Sequence, residues 1–380
     1  MRRLACPAAT WGGLPEAANA PAMRLIRPEP PQTSRVPSVR RIHAAVDAHN
    51  LAQDDRGIGR YARAVLTHAL ADPGFRFTLV VRALFPRSSP LSRALDGAEV
   101  SVKGRVPKDA DVVWFPWNGT FFDSDAPSVA TVHDATPFAY PSPSARLREA
   151  EQGPFLRTAA TARRILVQSR FTAAEVERWL GVPRERIVVT PLAADLRVFA
   201  PGPVGALPAA VGREPYLLYV GAHDQRKNTA TLIEAYARAF PSGTPRLVLT
   251  RRPPAAPPGV VVVNDCSDAA LVSLYRGARL VLAPSPYEGF GLPVLEAMGC
   301  GTPVLAARGG ALAEICGNAV AWVEEPMRVD AWVDALRAVY ADDATRARLA
   351  AAGPPHAATF SWSRCAAQTL AALRDVAEGA

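Results

Sequence analysis

The sequence predicts an α/β protein made of two Rossmann-like halves that face each other across a cleft. Three observations carry this. From Ile42 onward, short apolar runs alternate with helical patterns, which marks β-α-β units and a parallel sheet. The alternation breaks at a Pro-, Gly- and Ala-rich segment, 201–212, and restarts at Tyr216-Leu217-Leu218-Tyr219-Val220-Gly221, a buried strand ending in glycine. A length of 380 residues is enough for two domains, each with its own core. Two such halves place a ligand in the cleft between them, at the carboxyl ends of the strands.

The elements follow from this pattern. In the first half, 42–46 reads as a strand and 57–70 turns from loop into helix, with further strands at 77–81, 112–115, 129–133 and 165–168. Ser169 caps a helix over 171–180, and a strand at 187–190 completes the half. The second half continues with a helix over 229–240, strands at 247–250 and 260–263, a helix around 269–275 and an apolar strand at 278–284. Helices at 329–340, near 345–351 and at 362–376 end the chain. The expected organisation is a tail over 1–41, a first domain over 42–200, a linker over 201–213, a second domain over 214–360 and a terminal helix over 361–380.

Composition narrows the function classes. No apolar run approaches the ~18–20 residues needed to cross a bilayer. The five cysteines, Cys6, Cys266, Cys300, Cys316 and Cys365, lie far apart, so neither a disulfide framework nor a zinc site is suggested, and a reducing cytoplasm is expected. The net charge of +8 is not a nucleic-acid signal, because residues 1–41 hold seven basic and two acidic residues and so supply +5 of it. That stretch has seven prolines and no hydrophobic period, and reads as a disordered tail. It lacks an apolar segment of signal-peptide length. Two readings of it stay open: an arm that touches acidic lipid at the inner membrane face, or an upstream start codon, with Met23 or a later site as the true start.

The most informative stretch is 288–303. Glu288 and Glu296 stand eight residues apart around a glycine-rich turn and a helix start. Gly289 and Gly291 let backbone pass close to a ligand. Pro293 suits the first position of a helix. The amides of Phe290, Gly291 and Leu292 then become free donors at the positive end of the helix dipole, a seat for phosphate. Glu296, one turn further in, faces the same ligand and can accept from hydroxyls. Taken singly, each glutamate reads first as a solvated surface charge, and it is the combination that points to a site.

Pro284-Ser285-Pro286-Tyr287-Glu288-Gly289-Phe290-Gly291-Leu292-Pro293, followed by Glu296-Ala297 and Gly301-Thr302-Pro303-Val304, closely resembles the E-x7-E signature of the family 4 retaining glycosyltransferases. The resemblance covers roughly residues 42–378. It implies the GT-B architecture, with the C-terminal helices packing back toward the N-terminal domain, an acceptor site in the first domain and a nucleotide-sugar site in the second. It also implies a nucleotide sugar as substrate rather than a resident cofactor, and no metal. Within the family the chain is similar to bacterial mannosyltransferases of surface polysaccharide assembly. That implies GDP-mannose as donor, a glycan or lipid-linked oligosaccharide as acceptor, and no nucleic-acid partner.

Other motifs take roles by the same resemblance. Lys227, in Gln225-Arg226-Lys227-Asn228, is one of three lysines against forty arginines, and its position implies contact with the donor phosphates. The alternative is a solvated helix-start charge. Ala222 stands where many relatives carry an arginine or threonine, so Arg226 is the expected second phosphate cation. His133, after Thr131-Val132, is implied beside the anomeric centre, while a lone histidine at a strand end is also a common structural residue. Asp134 is expected to bind nearby backbone amides and fix the loop. Gly57-Ile58-Gly59-Arg60-Tyr61 is too short for a dinucleotide fingerprint. The family places a glycine-containing loop of this kind against donor phosphates, with Gly57 and Gly59 as contacts. Arg60 reads equally as a surface residue and Tyr61 as core. Asp123-Ser124-Asp125 mimics the metal motif of the other main glycosyltransferase fold, but sits in a Pro/Ser-rich loop and is not taken as a metal site.

The expected catalytic set is therefore His133, Glu288 and Lys227. Gly57, Gly59, Arg226, Lys227, Phe290, Gly291, Leu292 and Glu296 form the donor-binding set. Two rivals stay open: a non-catalytic sugar-nucleotide-binding homologue, and a different donor such as a UDP-sugar. A GT-B epimerase is disfavoured, since it would lack the E-x7-E layout.

Overall fold

A computed structural model describes residues 40–379 apart from 55–56, 84–86, 96, 99 and 265. The predicted tail lies outside these residues except for Arg40 and Arg41, which bind the Asp111 carboxylate and the Phe75 carbonyl (2.9 Å) respectively.

Two parallel sheets organise the rest. The strands of the first are β1 (Ile42–Asp47), β2 (Phe75–Val80), β3 (Ser101–Lys103), β4 (Val112–Asn118), β5 (Ser128–Val132), β6 (Ala162–Val167) and β7 (Ile187–Val189), in the order 3-2-1-4-5-6-7. Those of the second are β8 (Tyr216–Tyr219), β9 (Arg246–Leu249), β10 (Val260–Val262), β11 (Leu280–Ala283), β12 (Val304–Ala307) and β13 (Ala321–Val323), in the order 10-9-8-11-12-13. Strands such as β1, buried along its whole length, and β8, likewise buried, are covered on both faces, as parallel sheets require. Strand order reverses between β1 and β4, and again between β8 and β11. These two switch points open crevices at the carboxyl ends of their sheets.

The helices are α1 (Gly57–Ala69), α2 (Ser89–Ala94), α3 (Thr136–Ala139), α4 (Ala145–Thr161), α5 (Arg170–Leu180), α6 (Thr229–Ala239), α7 (Asp268–Gly277), α8 (Leu292–Gly299), α9 (Leu312–Cys316), α10 (Val329–Ala341), α11 (Asp343–Ala357) and α12 (Trp362–Ala377). Helix α12 packs against α1 and against β1, β4, β5 and β6, so the C-terminus returns to the first lobe. There Arg374 lies over the Phe75 ring, 5.0 Å from its centroid. Under the second sheet, Trp332 of α10 is wholly buried and its indole N–H donates to the Pro326 carbonyl at 2.9 Å.

Several elements differ from expectation. Helix α4 was not foreseen, because it has no apolar stripe: it carries Pro154 inside and buries only Phe155 and Thr158. Strand β3 is a three-residue edge strand with exposed ends. Helix α11 runs on through Pro354 and Pro355 to Ala357. Strand β2 begins two residues early at Phe75, the exposed Arg76 having masked its apolar pattern.

Candidate active site

The signature turn leaves β11 and enters α8. Gly291 takes φ +103°, a left-handed conformation that favours glycine, and caps the helix, which starts at Leu292. Pro293 is therefore its second residue rather than its first; the missing N–H is harmless at either place. The Ser285 hydroxyl lies 2.9 Å from the Arg226 carbonyl and ties this turn to the neighbouring loop. From the far side, Ala311 N–H donates to the Glu288 carbonyl at 2.9 Å. Phe290 turns its ring into the core, edge-on to Phe360 with centroids 5.7 Å apart. What it can offer a ligand is thus its amide and not its ring.

Lys227 and Arg226 stand on a short 3-10 turn, Gln225–Lys227, which Asp224 caps by accepting from Lys227 N–H at 3.1 Å. Lys227 Nζ lies 2.5 Å from Glu288 Oε1, and Arg226 Nη1 lies 3.7 Å from Glu288 Oε2. Arg226 also reaches Asp134 of the first lobe, at 4.0 Å, and Asp224 at 3.6 Å. Two cations and three carboxylates therefore converge at the mouth of the cleft.

His133 enters from the other wall, at the end of β5. Its Nε2 lies 2.8 Å from the Pro116 carbonyl, which can only accept, so Nε2 carries the hydrogen. Burial pushes the imidazole below the usual histidine range, and in the neutral ring with Nε2 protonated the acceptor nitrogen is Nδ1. Its edge packs against Tyr61, 4.9 Å between centroids, and its backbone N–H donates to Asn118 Oδ1 at 2.8 Å. Asp134 fixes the following loop by accepting from Thr136 N–H at 3.0 Å. Tyr61 is core, its hydroxyl 3.2 Å from Thr131 Oγ1.

The glycines of the α1 loop part company. A Cβ on Gly57 would lie 3.7 Å from Leu292 Cδ1 on the opposite lobe, so Gly57 lines the cleft. One on Gly59 would sit 1.6 Å from the Asp54 carbonyl oxygen. At Gly59 the loop closes on itself so tightly that no side chain fits.

Glu296 is 5% exposed and has two partners: Oε1 accepts from Arg60 Nη1 at 3.0 Å and Oε2 from Tyr275 OH at 3.0 Å. Burial pushes its carboxyl up to about 7, against the pull of Arg60. Arg60, which the sequence left as a surface candidate, crosses the cleft to make this bond and a second one to Asp268.

Further contacts between the lobes escaped the sequence. The Ser169 and Thr172 hydroxyls both donate to the Gly289 carbonyl, at 2.8 and 3.2 Å, next to Glu288. Glu314 of α9 accepts from the amides of Arg170 and Phe171, at 3.1 and 3.2 Å, and so completes the start of α5 from the other lobe. Tyr287 OH donates to Glu175 Oε2 at 2.7 Å. The only signal was Ser169 itself, whose cap bond to Thr172 N–H is present at 3.0 Å. Asp123, of the Asp-Ser-Asp triplet, is exposed and pairs with Arg157 at 3.1 Å.

Comparison with known proteins bears on the family and the fold. Residues 64–198 match the family described as Glycosyltransferase Family 4, and residues 256–355 match Glycosyl transferases group 1. The chain is 32% identical to the O-antigen chain mannosyltransferase B of Escherichia coli over 274 residues, 65% of this chain and 70% of that protein. It is 34% identical to the D-inositol 3-phosphate glycosyltransferase of Kribbella flavida over 264 residues, 63% of this chain and 61% of that protein. Sucrose-phosphate synthase from Thermosynechococcus elongatus superposes with a TM-score of 0.66 at 20% identity, covering 90% of this chain and all (100%) of that one. Anabaena HepE in complex with UDP and glucose superposes with a TM-score of 0.65 at 14% identity, covering 88% and 100%. With the two parallel-sheet lobes and the E-x7-E turn in place, these matches show that the chain belongs to the family 4 glycosyltransferases and has the GT-B fold.

Proposed function

We propose that the protein is a retaining hexosyltransferase that moves a sugar, mannose from GDP-mannose in the first instance, onto a hydroxyl of a glycan or lipid-linked acceptor. One observation carries the reading: Lys227 and Arg226 of the 3-10 turn meet Glu288 of the signature turn that opens α8 at Gly291 and Leu292, while the first lobe brings neutral His133. The cations and amides suit a diphosphate, Glu288 suits the sugar hydroxyls, Glu296 suits the ribose, and Gly57 borders the same space. The similarity to an O-antigen mannosyltransferase supports mannose.

In this reaction the bond from the anomeric carbon to the diphosphate oxygen breaks as the acceptor hydroxyl approaches from the same face. The departing oxygen takes the acceptor proton, so no strong base is needed. Lys227 and Arg226 stabilise the leaving diphosphate without a metal, and the Nδ1 lone pair of His133 orients the sugar. The proposed setting is the inner membrane face; among the described residues no helix is long and apolar enough to cross a membrane.

The test is to incubate the purified protein with a panel of nucleotide sugars and follow slow donor hydrolysis, with and without a chelator. GDP-mannose is expected to react fastest, with Lys227→Ala and Glu288→Ala about a hundredfold slower. A UDP-sugar reacting fastest would change the donor. Full turnover in either variant would refute the site, and no hydrolysis of any donor would favour a binding protein.

A further inference from the structure

Arg60 occupies the first turn of α1 in the first lobe, yet its guanidinium is spent on the second. It donates to Glu296 Oε1 of α8 at 3.0 Å, binds Asp268 at the start of α7, and lies over the Phe199 ring at 5.5 Å from the centroid. Its side chain is only 27% exposed. Glu296 is buried deeply enough that its charge needs partners. Among the described residues, Arg60 is the cation that meets it. Asp268 adds negative charge, and Tyr275 adds one hydrogen bond. Cys300, pushed by burial up to about 12, is neutral at ordinary pH.

We propose that Arg60 is a positioning residue for the donor ribose: by pairing with Glu296 across the cleft, it keeps that carboxylate charged and aimed to accept from the ribose diol. The inference rests on the reading of Glu296 as the ribose acceptor. It makes donor affinity depend on lobe closure. When the lobes part, Arg60 leaves with the first lobe, Glu296 takes up a proton in its apolar pocket, and its grip on the nucleotide weakens. Opening and product release thus favour each other.

The sign follows from the neighbours. Removing Arg60 leaves burial and Asp268, both of which raise the Glu296 pKa, opposed by the Tyr275 bond alone. An opposite charge at hydrogen-bond distance is worth about one to three pKa units. A rise of one unit from about 7 cuts the ionised fraction at pH 7 from about a half to about a tenth, roughly fivefold, and nearly restores it by pH 8.5.

Wild type and Arg60→Gln are titrated by calorimetry with GDP, UDP and ADP at pH 7.0 and 8.5. The 2′,3′-dideoxy analogue of the tightest binder follows; it carries the same base and phosphates and cancels their titrations. Arg60→Gln is expected to bind the ribonucleotide at least about fivefold more weakly at pH 7.0, with the gap shrinking markedly at pH 8.5, and to bind the dideoxy analogue as wild type does. Equal losses for both ligands, no loss, or a gap that does not shrink between pH 7.0 and pH 8.5 would overturn the proposal. Asp268→Asn supplies the opposite sign and covers a folding failure of the first variant: it should strengthen ribonucleotide binding at pH 7.0, and weaker or unchanged binding counts against the idea. If wild type binds the dideoxy and ribo forms equally, the ribose reading of Glu296 fails. If it binds the ribonucleotide selectively and only the variants misbehave, the assignment of Arg60 alone fails.

Discussion

Replacing Gly289 by alanine tests whether activity requires the lobe contact seen here. A Cβ at this position would lie 2.0 Å from the His133 carbonyl oxygen, 3.0 Å from its carbon and 3.2 Å from Asp134 Cβ. Both partners are backbone-anchored: His133 N–H is held by Asn118 Oδ1, and the Gly289 carbonyl is held by Ser169 and Thr172. No side chain can swing aside, so the walls must separate by about 1 Å to reach a normal contact distance. A displacement of that size at a reacting centre costs about a hundredfold in rate, or roughly 2.7 kcal/mol of barrier. Initial rates of donor turnover, measured beside melting temperature, provide the assay. Gly289→Ala should lose about a hundredfold in kcat while folding, and Gly153→Ala, whose Cβ would meet nothing within 4 Å, should match wild type. A Gly289→Ala enzyme within twofold of wild type would refute the claim that the two walls act in contact.

Wild-type affinity for the nucleoside diphosphate should rise roughly tenfold from pH 6 to 8, because Glu296, at about 7, binds hydroxyls best when charged and is protonated below that. Burial lowers the His133 pKa, away from this range, and a flat profile would count against Glu296 as a ligand. Tyr287→Phe removes the hydrogen bond to Glu175 that joins the lobes, worth about 1–3 kcal/mol, and should raise the donor KM severalfold and lower the melting temperature by a few degrees; wild-type kinetics would show the bond to be idle. Trp332→Ala empties a wholly buried site under the second sheet and should cost about 3–5 kcal/mol in denaturant unfolding, with a loss below 1 kcal/mol contradicting its place in the core.

The sequence displays some of this directly. Local pattern is enough for α12, expected at 362–376 and found at Trp362–Ala377, and for α6, expected at 229–240 and found at Thr229–Ala239, because an apolar stripe of helical period survives in each. The 288–303 turn is legible because glycine, proline and two carboxylates are packed into one short run. Helix α4 is not, since it turns Leu147 and Leu156 outward and offers no stripe to read. Arg60 is invisible for a different reason: 236 residues separate it from Glu296, and only closure of one lobe on the other brings the pair together. Gly59 and Gly57 look alike in sequence. Their roles separate only when one is seen against Asp54 and the other against Leu292.

The start of α5 carries a consequence for solution conditions. Its first amides are bonded to Glu314 from the opposite lobe, so a carboxylate on a helix dipole serves as a fastening between the two bodies. Beside the bonds made by the neutral hydroxyls of Ser169, Thr172 and Tyr287, two more cross-lobe ties are ionic, Arg226 to Asp134 and Arg60 to Asp268, and both are partly exposed. Such ties weaken as the screening length shrinks from about 8 Å at 0.15 M salt to about 3 Å at 1 M. Ionic strength thus becomes a control on domain motion: concentrated salt should loosen the hinge and enlarge the radius of gyration in X-ray scattering, while the apolar cores of the separate lobes stay intact.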